Sequence, residues 1–178
     1  SSVLMTFKSQ IFHNVCHVSQ LQYLKNVALD RETWHFKYPL NSHLSDKHAK
    51  MDVMDHAGVK DHFIAGIASF LALDLWESAE RKLFDPFTPF YCGISIKDRH
   101  RKDNIHIDYS DSDDVIKMVG LLNDEWYDEW GGGFIHDDIL YNLKPGDFVI
   151  FDPTIPHGAD DILTDTKRVA IDIAFKKI

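Results

Sequence analysis

Cysteine is scarce in this chain of 178 residues, and long apolar runs are missing. The two cysteines, Cys16 and Cys92, are too few for a disulfide framework, which favours a reducing compartment, and we expect a cytoplasmic protein. The longest nearly uncharged stretch, Phe63–Leu73, is about half the roughly 20 residues that a membrane-spanning helix needs. The first residues lack the basic and apolar segments of a signal peptide. We therefore expect no membrane association.

Positively charged residues are also fewer than negatively charged ones. Lysine and arginine number 19 against 28 aspartates and glutamates, so the formal net charge is −9. Binding of nucleic acid through phosphate contacts needs a cationic surface, so we expect no nucleic-acid partner. The cationic segment 97–102 is interpreted as a solvated loop. With 44% hydrophobic and 26% charged residues, the composition is that of a globular protein and excludes a disordered or fibrous chain.

The first half of the chain carries mainly helix signals. Ser19 is predicted to cap a helix. The apolar positions of this helix are Leu21, Leu24, Val27 and Ala28. The aromatic and β-branched residues 33–38 predict a short strand, and the polar stretch 39–60 predicts a long loop. Asp61 is predicted to cap a second helix over residues 62–83.

After residue 85 the chain consists of short apolar runs between turn residues, which is typical of a β protein. The predicted strands are Phe87–Ile96, Asn104–Tyr109, Val115–Leu122, Gly133–Leu143, Phe148–Phe151 and Arg168–Phe175. Lys144–Asp147 combines proline, glycine and aspartate and predicts a turn. We expect a mostly β fold with flanking helices around a jelly-roll core. We expect one domain over residues 1–178, with a helix-rich support and lid region over about 1–85 and the β core over about 86–178.

Histidine is abundant, with 11 residues, and it is the commonest metal ligand in proteins. His106 and Asp108 stand two positions apart in a predicted strand, so their side chains lie on the same face. His157 follows the apolar strand Phe148–Phe151. Two imidazoles and one carboxylate on one face of an iron ion leave its other positions open for oxygen chemistry.

The last predicted strand alternates between an apolar face and a small or polar face. The apolar face consists of Val169, Ile171, Ile173 and Phe175. Arg168 is the only cation on the other face, and its planar guanidinium matches a carboxylate in a bidentate contact. Lys167 ranks second, since its position places it on the apolar face. Asp172 shares the face of Arg168 and is either a pocket residue or a carboxylate at the edge of the core.

Two other histidine groups are interpreted as structural. His136–Asp138 repeats the His-x-Asp spacing, but it lies too close in sequence to His157 for the intervening strands. His13–His17 contains two histidines and a cysteine, but no second ligand pair follows at the spacing of a zinc site.

Taken in order along the chain, these residues resemble the iron(II)/2-oxoglutarate-dependent dioxygenases, and most nearly their prolyl 4-hydroxylase-like branch. The resemblance covers about residues 88 to 175. Besides the ligands, it rests on Leu121–Asn123, Trp130–Gly132, Leu143–Asp147 and Val149–Phe151 in the order of that family. It implies a double-stranded β-helix that uses Fe(II), 2-oxoglutarate and O₂ and that releases succinate and CO₂.

The resemblance also implies roles for individual residues. The implied iron ligands are His106, Asp108 and His157. Arg168 is the implied partner of the far carboxylate of 2-oxoglutarate. Tyr91, on the strand before the first ligand, resembles the family tyrosine that hydrogen-bonds the co-substrate. Asn123 either contacts the co-substrate or ends a strand.

The sequence therefore predicts a hydroxylase that acts on a peptidyl side chain, with proline as the family default, or on a free amino acid or another small molecule. The loops 39–60 and 97–104 are expected to set its substrate choice. One alternative is a cupin-like barrel that binds a metal without 2-oxoglutarate; it calls for a second histidine two residues after the first. The other alternative is a non-catalytic jelly-roll binding module. The sequence leaves the oligomeric state open.

Overall fold

Two antiparallel sheets form the centre of this fold. The computed structural model describes residues 8–15, 17–30, 35–36, 49–69, 87–109 and 114–177. Strands predominate in this part of the chain, and helical segments pack against one face of the larger sheet. The prediction of a mostly β fold with flanking helices is therefore confirmed.

Eleven strands are present in the described residues. They are β1 (Ser9–Phe12), β2 (His35–Phe36), β3 (Ala49–Asp55), β4 (Gly58–Val59), β5 (Phe87–Lys97), β6 (Val115–Leu121), β7 (Phe134–His136), β8 (Ile139–Tyr141), β9 (Phe148–Phe151), β10 (His157–Ala159) and β11 (Arg168–Lys177). The larger sheet has the order β1-β9-β6-β11-β5-β3-β2, with β4 beside β3, and the smaller sheet has the order β10-β7-β8. Neighbours in both sheets run antiparallel, as in a jelly roll.

Alternation along the central strands places apolar side chains on both faces of the larger sheet. One face packs against the helices, and its central residues include Ile116, Met118, Ile150, Ile171 and Ile173. The opposite face packs toward the smaller sheet, and its residues include Val119, Leu121, Val149, Phe151 and Ala170. The predicted division of the last strand into two faces is confirmed, because its four apolar residues all lie in the first cluster.

The first helix, α1, spans Val18–Leu29 and is capped by His17 rather than by Ser19. Nδ1 of His17 accepts a hydrogen bond from the backbone N–H of Ser19 at 3.1 Å, and Oε1 of Gln20 accepts from the backbone N–H of His17 at 2.9 Å. The predicted cap was wrong because an imidazole nitrogen takes the place of the usual hydroxyl. Leu21, Leu24 and Ala28 are buried, as predicted.

The second helix, α2, is described over residues 62–69. Its predicted cap is confirmed, since Oδ1 of Asp61 accepts a hydrogen bond from the backbone N–H of Ile64 at 3.0 Å. Its predicted continuation over 70–83 lies outside the described residues, as do most of the residues of the strand predicted at 33–38. No helix in the described ranges is long and apolar enough to cross a lipid bilayer.

The predicted loop over 39–60 was wrong for residues 49–59, which form β3 and β4. Met51 and Val53 alternate with polar neighbours and are fully buried, and β3 pairs with β5 in the larger sheet. The abundance of aspartate and histidine in this stretch concealed a short alternating strand. The larger sheet therefore also takes strands from the region that was expected to be helix-rich.

The predicted strand Asn104–Tyr109 was wrong as a regular strand. It makes a single bridge, at His106, to His157. The backbone N–H of each of these histidines donates to the carbonyl of the other at 2.9 Å, and the N–H of Asp108 donates to the carbonyl of Pro153 at 2.9 Å. These three main-chain bonds hold the segment beside β10 without the ladder of a sheet.

The predicted strand Gly133–Leu143 was wrong as a single strand, because it folds back into a hairpin of β7 and β8. It turns at Asp137 and Asp138, which have φ of 51° and 62° as a tight hairpin turn requires. The predicted turn at Lys144–Asp147 is confirmed, because Oδ2 of Asp147 accepts from the N–H of Lys144 at 3.2 Å.

Candidate active site

Three side chains from two segments far apart in sequence converge at one point. Oδ2 of Asp108 lies 2.9 Å from Nε2 of His157, and its Oδ1 lies 3.5 Å from Nε2 of His106. One ligand atom from each of the three residues lies within 4.8 Å of the others. Ligands about 2.1 Å from a shared metal ion and at right angles to each other lie about 3 Å apart, so this spacing suits one ion.

The two imidazole rings are oriented by main-chain carbonyls. Nδ1 of His106 lies 2.8 Å from the carbonyl oxygen of Asn104, and Nδ1 of His157 lies 2.8 Å from that of Ile155. Because a carbonyl only accepts, each Nδ1 donates its proton to the main chain, and Nε2 is the ring nitrogen that faces Asp108. Two imidazole nitrogens and one carboxylate are the kind of ligand set that a divalent iron ion takes. The donor set therefore fits a metal ion.

The carboxylate of Asp108 is ionised. Burial disfavours its charged form, but the ring of His157 and the ammonium of Lys117 outweigh burial and hold the pKa of Asp108 below its ordinary value. The side chain of Asp108 is 31% exposed, and that of His157 is 4% exposed. The group of three is thus buried on the His157 side and open on the other.

These three residues line a cavity of about 810 Å³. Its walls include residues of β5, β6, β10 and β11, and its size is in the range of small-molecule sites. Ile107 and Tyr109 line it as well, and both are exposed. The predicted site residues Tyr91 and Arg168 also line this cavity.

Arg168, the first residue of β11, is only 3% exposed. Its Nε has no hydrogen-bond partner among the described residues. Burial lowers the pKa of Arg168 to about 10, against the opposite effect of Asp103 and Asp172, so the guanidinium stays charged at neutral pH. A buried cation whose donors are unsatisfied is costly, and an anionic ligand removes that cost. This wall of the cavity is therefore suited to an anion.

Two further cations lie near Arg168. Lys97 is its direct partner across β5 and β11, and Nζ of Lys97 contacts Oδ2 of Asp103 at 2.7 Å. Nη2 of Arg101 contacts the other oxygen of Asp103 at 3.1 Å. Both cations line the cavity, and their side chains are 19% and 17% exposed. The prediction that 97–102 is a solvated loop was therefore wrong for these two residues.

Lys117, on β6, was missed by the sequence analysis. Its Nζ lies 3.2 Å from Oδ2 of Asp172, 3.4 Å from Oδ2 of Asp108 and 5.9 Å from the ring centre of Tyr91. Burial opposes its charge, but Asp172 and Asp108 prevail and raise the pKa of Lys117 above its ordinary value. The sequence does contain a signal for this residue. Lys117 is the one charged residue of the apolar strand β6, and it lies two positions before Val119, so both side chains are on the face that lines the cavity.

Tyr91 reaches the cavity because the residue two positions later is glycine. A Cβ on Gly93 would lie 2.3 Å from the phenol oxygen of Tyr91 and 3.2 Å from Oδ1 of Asp172. The hydroxyl of Tyr91 donates a hydrogen bond to Oδ1 of Asp52 at 3.4 Å. Burial, Asp172 and Asp52 raise the pKa of Tyr91, so its phenol stays protonated and can donate.

Asn123 is placed behind the site rather than in it. Its amide nitrogen donates to the carbonyl of Lys167 at 2.8 Å, and its amide oxygen accepts from the N–H of Val169 at 2.8 Å. The two bonds fix the backbone on both sides of Arg168. Asn123 is outside the part of the cavity wall formed by described residues, and this placement supports the strand-end interpretation.

The two histidine groups interpreted as structural lie outside the group of three. His136 is fully buried, and its Nε2 donates to the carbonyl of Asp152 at 2.7 Å. His17 caps α1. Nδ1 of His13 lies 3.1 Å from Oδ1 of Asp147. Cys16 lies outside the described residues.

Comparison with known proteins finds similar structures but no similar sequence. No protein-family model and no curated protein sequence matches this chain. Among solved structures it is similar to a prolyl-4-hydroxylase of Pseudomonas putida, with a TM-score of 0.65 and 16% identity over 98% of this chain and 95% of that one. It is also similar to the viral collagen prolyl hydroxylase of Paramecium Bursaria Chlorella virus-1 in its 2-oxoglutarate complex, with a TM-score of 0.68 and 12% identity over 99% of both chains.

A third similar structure is HygX of Streptomyces hygroscopicus with nickel, 2-oxoglutarate and hygromycin B bound. Its TM-score is 0.62, with 12% identity over 98% of this chain and 85% of that one. Identities this low establish a shared fold. The chain therefore shares the double-stranded β-helix (jelly-roll) fold of these three proteins, and what it does must be argued from its own residues.

Proposed function

We propose that this chain is an Fe(II)/2-oxoglutarate-dependent oxygenase that hydroxylates its substrate. One observation carries the proposal: the His106, Asp108 and His157 side chains converge in a cavity that is also lined by a buried cation, Arg168, whose Nε has no hydrogen-bond partner among the described residues. A metal site alone is compatible with many reactions. A metal site together with a buried guanidinium fits a co-substrate that chelates a metal at one end and carries a carboxylate at the other.

Each group has a stated task in this proposal. His106, Asp108 and His157 hold the ferrous ion, and Arg168 binds the far carboxylate of 2-oxoglutarate. Iron, 2-oxoglutarate and O₂ together supply the oxidation, in which one oxygen atom enters succinate, the other enters a C–H bond of the substrate, and CO₂ leaves. The protonated phenol of Tyr91, which donates to Asp52 in this structure, turns its single proton to the co-substrate. Asn123 acts on the co-substrate through the backbone around Arg168.

For the substrate we propose a peptidyl side chain, with proline first, or a free amino acid or another small molecule. The proposal is supported by the range of proteins that share the fold, which includes prolyl hydroxylases and a protein that holds hygromycin B. Exposed Ile107 and Tyr109 offer apolar contacts beside the metal ligands. Lys97 and Arg101 bring the 97–104 segment into the cavity wall, where it can influence substrate choice.

The two alternatives are less well supported. A cupin-like metal enzyme calls for a histidine two residues after His106, and Asp108 stands there. A non-catalytic module has no need for three converging ligands with oriented rings or for a buried guanidinium whose Nε lacks a hydrogen-bond partner among the described residues. We further propose that the chain forms one domain, since α1, α2 and the larger sheet share one apolar cluster, and that it is cytoplasmic, since Cys92 is a free thiol.

The deciding experiment is anaerobic addition of Fe(II) and then 2-oxoglutarate to the metal-free protein. We expect a weak visible charge-transfer band from the chelate, which neither alternative produces. Asp108→Ala and His106→Ala should abolish this band while the circular dichroism spectrum stays that of the wild type. His62→Ala, at the exposed start of α2, is the matched histidine control and should keep the band. A wild-type protein that binds iron but gives no band with 2-oxoglutarate would contradict the proposal.

Substrate identity is then tested by succinate release in air. Proline-containing peptides and free amino acids are screened for release above the slow uncoupled level, and the product is checked for a mass increase of one oxygen atom. Wild-type rates of succinate formation in Asp108→Ala would contradict the assignment of the ligands.

A further inference from the structure

We propose that Lys117 is a positioning residue for the metal site: it holds the carboxylate of Asp108 in the orientation in which it faces His106 and His157. This inference rests on the proposed function, because it presupposes a metal bound to Asp108. Lys117 itself is not a metal ligand, since an ammonium has no lone pair to offer.

The contacts of Lys117 join the metal ligands to β11. Its Nζ lies 3.4 Å from Oδ2 of Asp108 and 3.2 Å from Oδ2 of Asp172. Oδ1 of Asp108 faces Nε2 of His106 at 3.5 Å. Oδ2 of Asp108 also lies 2.9 Å from Nε2 of His157. The ammonium, itself paired with Asp172, therefore restrains rotation of the carboxylate and keeps it directed at the two histidines.

Lys117 is held firmly enough for this role. Its side chain is 12% exposed, and it lies over the ring of Tyr91 at 5.9 Å from the ring centre. Asp172 restrains it from β11, the neighbour of β6 in the larger sheet. A solvent-exposed lysine loses rotamer entropy when it forms one ion pair, and the pair contributes little net free energy. This lysine has two carboxylates and an aromatic face around it in a cavity wall, so its ammonium is confined to one place.

Three possible roles for Lys117 predict different effects on metal affinity. If Lys117 positions Asp108, its removal lets the carboxylate rotate and weakens metal binding; contacts of this kind change metal affinity about 10–100-fold. If Lys117 is only a positive charge near the metal cation, its removal strengthens metal binding. If Lys117 binds 2-oxoglutarate directly, its removal leaves metal affinity unchanged and weakens only co-substrate binding.

The test is a titration of the metal-free protein with Mn(II), followed by the electron paramagnetic resonance signal of free Mn(II), without 2-oxoglutarate. We expect Lys117→Met to raise the dissociation constant at least tenfold and Lys117→Arg, which keeps a charged donor, to restore most of the affinity. Lys144→Met is the matched control, because Lys144 pairs with Asp128 at 2.6 Å on the surface. It should bind Mn(II) as the wild type does.

The titration distinguishes a failure of the proposed metal site from a failure of the positioning role of Lys117. If wild-type protein does not bind Mn(II), the proposed metal site fails. If it binds and Lys117→Met binds equally well or more tightly, the positioning role is overturned and the site stands. Thermal melting checks that each variant is folded. If the methionine variant does not fold, Lys117→Gln takes its place in the titration and is judged by the same tenfold criterion.

Discussion

Lys97 and Arg168 are directly opposite each other on β5 and β11, and both line the same cavity. Like charges at paired positions of neighbouring strands destabilise a sheet. Asp103 contacts Lys97 at 2.7 Å and offsets part of this repulsion, but Arg168 keeps an unsatisfied Nε. The pair is therefore explained by the binding of an anion rather than by the stability of the fold.

Replacement of Arg168 should weaken the use of 2-oxoglutarate without lowering the stability of the fold. Arg168→Met keeps much of the side-chain volume and removes the charge, and loss of a charge-assisted bidentate contact costs about 1.5–3 kcal/mol. We expect the KM for 2-oxoglutarate to rise about tenfold to a hundredfold, with little change in iron affinity. The melting temperature of the metal-free protein should stay the same or rise, because the replaced cation is buried without a hydrogen-bond partner at Nε.

The control for that variant is Lys167→Met. Lys167 is adjacent in sequence and exposed, so its replacement should leave the KM for 2-oxoglutarate at the wild-type value. An unchanged KM in Arg168→Met together with a raised KM in Lys167→Met would transfer the carboxylate-binding role to Lys167.

Asn123 should affect the co-substrate without touching it. Asn123→Ala removes two hydrogen bonds to the backbone beside Arg168 and leaves the carbonyl of Lys167 and the buried N–H of Val169 without this partner. We expect the free energy of unfolding to fall by about 2 kcal/mol and the KM for 2-oxoglutarate to rise while Mn(II) affinity holds. Chemical denaturation and steady-state kinetics measure these quantities. An Asn123→Ala protein of wild-type stability with a raised KM would instead indicate direct contact with the co-substrate.

Gly93→Ala tests the position of the Tyr91 phenol. The new Cβ would lie 2.3 Å from the phenol oxygen, so the ring must move away from its present place in the cavity. We expect a higher KM for 2-oxoglutarate from a folded protein. In the Tyr91→Phe background the colliding oxygen is absent, and the same glycine substitution should have a smaller effect. Equal effects in both backgrounds would show that Gly93 acts independently of the tyrosine.

His136 should contribute to the loss of stability in mild acid. Burial lowers the pKa of His136 in the folded protein, whereas a histidine in the unfolded chain has a pKa of about 6.5. Below that pH the unfolded state binds a proton that the folded state still rejects, so the free energy of unfolding decreases as pH falls. We expect a flatter pH dependence in His136→Gln, which keeps a donor for the carbonyl of Asp152. Denaturation of metal-free protein between pH 7.5 and pH 5 measures both slopes, and identical slopes would exclude this contribution.

Local patterns were sufficient where a residue's role depends on its own neighbours in the chain. The apolar run Phe148–Phe151 predicted β9, the alternation after Arg168 predicted both faces of β11, and Asp61 predicted the start of α2. Side-chain periodicity and capping depend on dihedral angles and residues within a few positions, so a single sequence carries them. The cap at His17 was missed because histidine is an uncommon residue there.

The fold alone decided how the functional side chains meet. The sequence by itself determined the residue types and the order of His106, Asp108, His157 and Arg168. Their convergence depends on the main-chain bridge between His106 and His157, because residues 104–109 form no regular strand. The placement of Lys117 near Asp172, and of Lys97 opposite Arg168, follows from the register of β5, β6 and β11. Register sets contacts between residues far apart in sequence, and no local pattern encodes those distances.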